Sequence, residues 1–254
     1  MMAEEKAAYN APALEKGLDI LELLAAAGRP LGTKQIADQL GRSKNEIFRM
    51  VYVLLSRGYL QRDKGGEGLT LSNKLFGLGM QTVRARDLVG TAMPVIERFA
   101  QEVRQAAHLV VAHRGETVII AAVSGGADMN FSLKLGYRRP LADAHSGLVL
   151  MAFQPQEQRA RMLAECLPLM REPPEAALLT AELDAVLGQG GIIHESRDIV
   201  GVTDVVCPIV AGDGRALACV TVAAVSRRST AQDFPAMLAR LKLACAEIAA
   251  ELGG

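Results

Sequence analysis

The 254-residue chain carries 28 basic and 28 acidic side chains, a formal net charge of zero, and half of its residues are apolar. That length supports one large or two modest cores, and the apolar content excludes a disordered chain. The charge balance excludes a uniformly basic nucleic-acid binder, and no apolar run approaches the length of a membrane span.

Residues 1–12 read as a flexible tail, whose start, MMAEEK, lacks the apolar core of a signal peptide. From Ala13 to Ala27, the residues Leu14, Leu18, Leu21, Leu24 and Ala25 define a helix that Gly28 and Pro30 terminate. Residues 33–55, TKQIADQLGRSKNEIFRMVYVLL, read as two short helices joined at Gly41, which supplies a permissive backbone for the turn. Thr33 is placed to cap the first helix, with Ile36, Ala37 and Leu40 as its apolar stripe. Ser43-Lys44-Asn45-Glu46 has the form of a capping box and fixes where the second helix begins. Behind it Ile47, Met50, Val51, Leu54 and Leu55 face inward, while Lys44, Asn45, Phe48, Arg49 and Tyr52 face outward. A recognition helix needs that arrangement, its N-terminal residues reaching base edges while its apolar face docks on partner helices. An ordinary helical hairpin in a core has the same pattern, so the neighbours decide.

After Arg57-Gly58, Tyr59–Arg62 and Leu69–Leu71 read as two strands around the turn Lys64-Gly65-Gly66-Glu67-Gly68. Three helices followed by a glycine-tipped basic hairpin is the winged helix-turn-helix plan, here over residues 13–72. Between Arg29 and Lys64 stand eight bases against three acids, a plausible electrostatic footprint for phosphates. The residues placed to contact double-stranded operator DNA are Thr33, Lys34, Gln35, Arg42, Ser43, Lys44, Asn45 and Arg49, with Lys64 on the wing.

Residues 73–90 read as a linker helix, polar on one side, and residues 91–254 as a second domain. Pro94 is placed in the first turn of another helix, with Val95, Ile96, Phe99 and Val103 on its buried side. Strand patterns follow at His108–Ala112, Thr117–Val123 and Phe131–Leu135, then a helical region over about 146–188. Strands return at Gly191–His194, Val202–Val210 and Ala216–Val225, with Gly212-Asp213-Gly214 as a hairpin signal, and Ala231–Leu252 closes the chain as a helix. Strands, helices and strands again make this an α+β, sensor-like domain. Cys166, Cys207, Cys219 and Cys245 are widely spaced with no CxxC pair, the free thiols of a cytoplasmic protein.

The chain resembles the IclR family of bacterial transcriptional regulators over nearly its full length. The resemblance rests on Leu14–Leu21, Ile36–Gly41, Arg49, Leu54-Leu55, Arg57–Leu60, Gly136–Leu141, Ser146-Gly147, Gly201–Thr203, and Pro208–Val210 with Gly214. It implies a GAF-like C-terminal domain that binds a small-molecule effector, commonly a small organic acid or aromatic catabolite. It further implies a homodimer or homotetramer on palindromic operators, since operator symmetry follows protein symmetry. By alignment with that family the effector pocket holds His145, Ser146, His194, Asp204 and Thr221, and His108 could face inward with them, whereas His113 ends a strand at the surface. The chain departs from the family at Leu148, where a lysine is common, and at Asp204, near which a cysteine or other small residue is common.

Two further readings follow from the same residues. His108, His145, His194, Asp204 and Cys207 are ligand types for zinc or another divalent metal, although none sits at a local ligand spacing. The blander alternative is that these groups hydrogen-bond an effector, and that Cys207 is a buried small hydrophobe. Cys207 with His145 or His194 would give a thiol–imidazole pair, the basis of an enzyme reading that leaves the N-terminal module without a purpose. A winged helix used only for protein contacts is a third alternative.

Overall fold

In the computed structural model, which describes residues 11–63, 65–66, 68–80, 83–126, 131–225 and 232–253, the chain divides into two compact units, Met1–Ala85 and Arg86–Gly254. The first unit begins with α1 (Pro12–Ala27), preceded by Ala11 as N-cap, so residues 11 and 12 belong to the helix rather than to a tail. The rest of the expected tail lies outside the described residues.

Helices α2 (Thr33–Leu40) and α3 (Lys44–Ser56) follow, joined through Gly41 in the left-handed conformation (φ 61°), which a side chain would disfavour. The expected capping box is present at the start of α3, where the Glu46 amide donates to the Ser43 hydroxyl (3.3 Å) and the Ser43 amide to the Glu46 carboxylate (3.2 Å). At α2 the cap is one residue earlier than expected. Gly32 is the N-cap, its amide donates to Gln35 Oε1 (2.9 Å), and Thr33 is already helical. A two-stranded hairpin, β1 (Leu60–Arg62) and β2 (Leu69–Leu71), completes the module, with Leu31 bridged to Leu69 beside it. Ile20, Leu24, Leu31, Ile36, Ile47, Val51, Leu60 and Leu69 form one buried cluster contributed by all of these elements. Helix α4 (Lys74–Met80) follows β2.

Helix α5 (Val83–Val103) carries the chain past the division at residue 86, and Pro94 lies inside it rather than in the first turn of a new helix. The proline ring costs the helix one hydrogen bond, and the carbonyl it crowds belongs to Gly90, four residues earlier. The second unit is built on six antiparallel strands in the order β5-β4-β3-β8-β7-β6: β3 (Ala107–His113), β4 (Glu116–Val123), β5 (Arg138–Pro140), β6 (Ile192–Glu195), β7 (Val202–Val210) and β8 (Ala216–Val225). Helices α5 and α9 (Phe234–Leu252) cover one face. Helices α6 (His145–Ala152), α7 (Gln156–Cys166) and α8 (Ala176–Gln189) belong to the other. Both faces are therefore apolar, and two bulges keep the parity. Ile120 is the extra residue opposite Leu109/Val110 and Leu217 opposite Ile209/Val210, so Ile119 and Ala216 face one core while Ala121 and Ala218 face the other.

Phe131–Leu135 is not a strand. The amide of Leu133 bonds to the His108 imidazole instead of a neighbouring strand, and the chain turns at Gly136 (φ 78°) before β5 pairs with β4. Among the described residues no helix is long and apolar enough to cross a membrane.

Candidate nucleic-acid interface and ligand cavity

The capping box leaves the first turns of α3 well defined and their outer side chains free. Lys44, Asn45, Phe48, Arg49 and Tyr52 are all exposed, Phe48 at 60% and Tyr52 at 66%, whereas Ile47 and Val51 are buried. Lys34, Arg42 and Ser43 are also exposed, and Thr33 is half-buried in the first turn of α2. Two of the expected contacts already have structural work. Gln35 caps α2, and the Ser43 hydroxyl donates to Glu46 Oε2 (2.8 Å). Lys64 lies outside the described residues. A contact that residue-type reasoning missed is Lys16 Nζ to Glu46 Oε1 (2.5 Å), which ties α1 to the start of α3 and, with Ser43, holds the Glu46 carboxyl down at about 2.

In the second unit the start of α6 and one face of the sheet enclose a cavity of about 670 Å³, counting its open mouth. Strand alternation decides which side chains reach it: His108 and Val110 from β3, Thr117 and Ile119 from β4, Val202 and Asp204 from β7, Thr221 and Ala223 from β8. Ala144, His145 and Ser146 come from the beginning of α6, where Ala144 offers no side-chain cap to the first-turn amides. Gly147 lets that turn approach the preceding segment, since a Cβ there would stand 2.0 Å from the Leu141 carbonyl oxygen. His145 is buried and its Nδ1 donates to Asp204 Oδ2 (2.8 Å). Phe131 and Leu133 add apolar wall.

Arg139 and Arg197 also line the cavity, and the sequence offered no local signal for either as a site residue. Both are already engaged. Arg139 pairs with Asp143 (2.8 Å) and Asp198 (3.4 Å); burial opposes its charge, but the two carboxylates outweigh burial and raise its pKa. Arg197 donates to the Ala142 carbonyl (2.9 Å) and pairs with Glu182.

His108 is fully buried. Its Nε2 accepts from the Leu133 amide (2.9 Å), so the ring proton belongs on Nδ1. Burial lowers the His108 pKa, and the backbone of Thr221, its neighbour across the β3–β8 ladder, offsets only part of that. The Thr221 hydroxyl is buried beside the Cys219 thiol. The thiol of Cys219, on the same strand face, spends its hydrogen on the Ser146 carbonyl (3.6 Å).

The remaining expected residues are placed elsewhere. His194 does not line the cavity. It is exposed on the edge strand β6, opposite Asp204 in register, with its ring 5.3 Å from that of His145. Cys207 stands three residues beyond Asp204 on β7, hence on the opposite sheet face, packed in the cluster that holds Cys245. It can join neither a metal set with His108, His145, His194 and Asp204 nor a thiol–imidazole pair with His145. Among the described residues no group of three or more His, Cys, Asp or Glu side chains is gathered to hold a metal ion. His113 is exposed at the end of β3.

Residues 13–64 match the IclR helix-turn-helix domain, and residues 80–250 match the bacterial transcriptional regulator IclR C-terminal domain. Over 243 residues the chain is 24% identical to the probable transcriptional regulator SauR of Cupriavidus necator, covering 94% of this chain and 96% of that protein. An IclR transcriptional regulator from Alicyclobacillus acidocaldarius shares the fold at a TM-score of 0.79 and 19% identity, covering 96% of this chain and 100% of that one. So does an IclR homolog from Microbacterium hydrocarbonoxydans complexed with 4-hydroxybenzoate, at a TM-score of 0.79 and 22% identity, covering 94% and 98%.

Proposed function

The chain belongs to the IclR family of bacterial transcriptional regulators, a family of regulators and not of enzymes, and on that premise we propose that a small organic acid or aromatic catabolite bound in the β-sheet cavity controls its affinity for operator DNA. The observation that carries this reading is the cavity itself. One wall is apolar (Val110, Ile119, Phe131, Leu133), and a few polar groups converge on it. A carboxylate is favoured beside the uncapped first turn of α6, where amide donors and the helix dipole meet an anion. The structural neighbour complexed with 4-hydroxybenzoate supports an aromatic acid among the ligands.

On the DNA side, Lys44, Asn45 and Arg49 are the proposed base contacts from α3, and Lys34, Arg42 and Lys64 the proposed phosphate contacts. Exposed Leu14 and Leu18 on α1, with Leu75, Phe76 and Leu78 on α4, support self-association, which a second copy would satisfy by covering them. The switch is linkage: a ligand that prefers one conformation of the regulator changes DNA affinity by its differential binding energy.

The test couples two measurements on the full chain. A panel of small organic and aromatic acids is screened for ligands that raise the melting temperature. Each hit is then added to a gel-shift titration against a duplex selected from a random pool. A stabilising acid should change the apparent Kd for that duplex, and the Arg49→Ala variant should not bind it. Stabilising acids that leave DNA affinity unchanged would sink the effector reading. Undiminished binding by Arg49→Ala would sink the assignment of the recognition helix.

A further inference from the structure

The outer face of α3 carries two aromatic rings that the folded unit does not use. Phe48 and Tyr52 are exposed, and neither belongs to the buried cluster that α1, α2, α3 and the hairpin share. Lys44, Phe48 and Tyr52 follow one another at intervals of four residues, so they lie along one stripe of the helix. Asn45 and Arg49, both exposed, form the stripe beside it. A single exposed ring is ordinary; the company of this one is not. Phe48 stands among cationic and amide side chains, and Glu46, the acid of the first turn, is occupied by Ser43 and Lys16. Such a surface complements DNA, and in the major groove the one apolar group that a base presents is the C5-methyl of thymine. We propose that Phe48 reads that methyl, so that the operator carries a thymine at the position the ring faces.

The chemistry follows from what the ring lacks. Phenylalanine has neither donor nor acceptor, so against a phosphate or a polar base edge it would strip water and return no hydrogen bond. Against a methyl group it gains, because both surfaces leave water together. Tyr52 lies one turn further from the start of the helix and ends in a hydroxyl, which suits it to a phosphate oxygen rather than a methyl. Asn45 and Arg49 are of the types that pair with adenine and guanine edges, and neither pairing registers the methyl. This rests on the recognition-helix assignment and deepens it, adding one base identity that hydrogen bonding alone does not supply.

The test takes the duplex that the full chain selects from a random pool and replaces its thymines with deoxyuridine, one position at a time. Each replacement deletes a methyl and keeps every hydrogen bond. Measured by fluorescence anisotropy, at least one replacement should raise the wild-type Kd about fourfold, the factor that burial of one methyl gives. Phe48→Ala should bind the thymine and deoxyuridine duplexes equally. It should melt with the wild type, because the ring lies outside the core. A selected duplex in which no deoxyuridine matters, or a thymine preference that survives Phe48→Ala, would overturn the inference. The recognition-helix assignment would still stand if Arg49→Ala failed to bind, whereas undiminished binding by Arg49→Ala would overturn both. A Phe48→Ala protein that melts well below the wild type would show that the ring is structural, and would also overturn the inference.

Discussion

Glu46 serves two elements at once. Its carboxylate closes the capping box on Ser43 and holds the Lys16 ammonium of α1, and the hydrogen bond from Lys16 is the larger cause of its fall from 4.5 to about 2. A carboxyl whose folded pKa is depressed contributes stability that is present above 4.5 and is lost as the pH falls toward 2. Helicity followed through an acid titration should therefore decline more in the wild type than in Glu46→Gln over that window. Equal declines would show that the Lys16 contact is not maintained in solution. The buried imidazole has the same sign. Because burial lowers the His108 pKa, folding is favoured while both states are neutral and loses stability as the pH falls below 6.5, where only the unfolded ring gains a proton. Urea midpoints compared at about pH 7.5 and 5.5 should drop less for His108→Leu than for the wild type. Histidine as a cavity candidate was legible from the alignment with the family, but the roles were not. His108 and His145 line the cavity and His194 does not, because edge-strand position and ring packing depend on a register that no local pattern encodes.

Elements whose determinants are local came out of the sequence with the right type and close bounds. Helix α3 starts where Ser43 and Glu46 place it, and β2 occupies Leu69–Leu71 as its alternation predicts. Ser43→Ala should cost about 1 kcal/mol, read as a lower denaturant midpoint, since the N-cap bond to the Glu46 amide is removed. Elements decided by tertiary contacts were less legible. Phe131–Leu135 has the composition of a strand, yet the His108 ring takes its Leu133 amide. Pro94 reads as a helix start, yet packing of Ala92, Val95, Ile96 and Phe99 against the sheet carries α5 through it. The start of α6 depends on Gly147 in the same non-local way. Gly147→Ala should cost about 1–3 kcal/mol or more, because the added methyl meets backbone rather than a movable side chain. It should also weaken acid binding, because the first turn of α6 lines the cavity. Unchanged binding in a folded variant would show that this turn does not hold the ligand.

At the scale of the molecule, the winged-helix unit and the sheet-based unit have separate cores, and each was recognisable from the order of its elements. What the order did not disclose was the cavity's charge. Arg139 and Arg197 come from distant segments, and each is neutralised by carboxylates that only the fold brings near. A ligand at a hundred times its Kd should stabilise the Arg86–Gly254 unit by about 2.7 kcal/mol through mass action. Hydrogen exchange should place that protection first on β3, β7 and β8, and protection confined to the winged-helix unit would contradict a cavity site. The two-sided sheet has one more consequence. On β7, Val202 and Asp204 look into the cavity while Val205 and Cys207 look into the opposite core. Substitutions walked along this strand should thus behave like a weave seen from its two sides. Alternate threads alter the response to ligand at nearly constant melting temperature, and those between them lower the melting temperature and leave the response intact, so one strand can be tuned for sensing and durability separately.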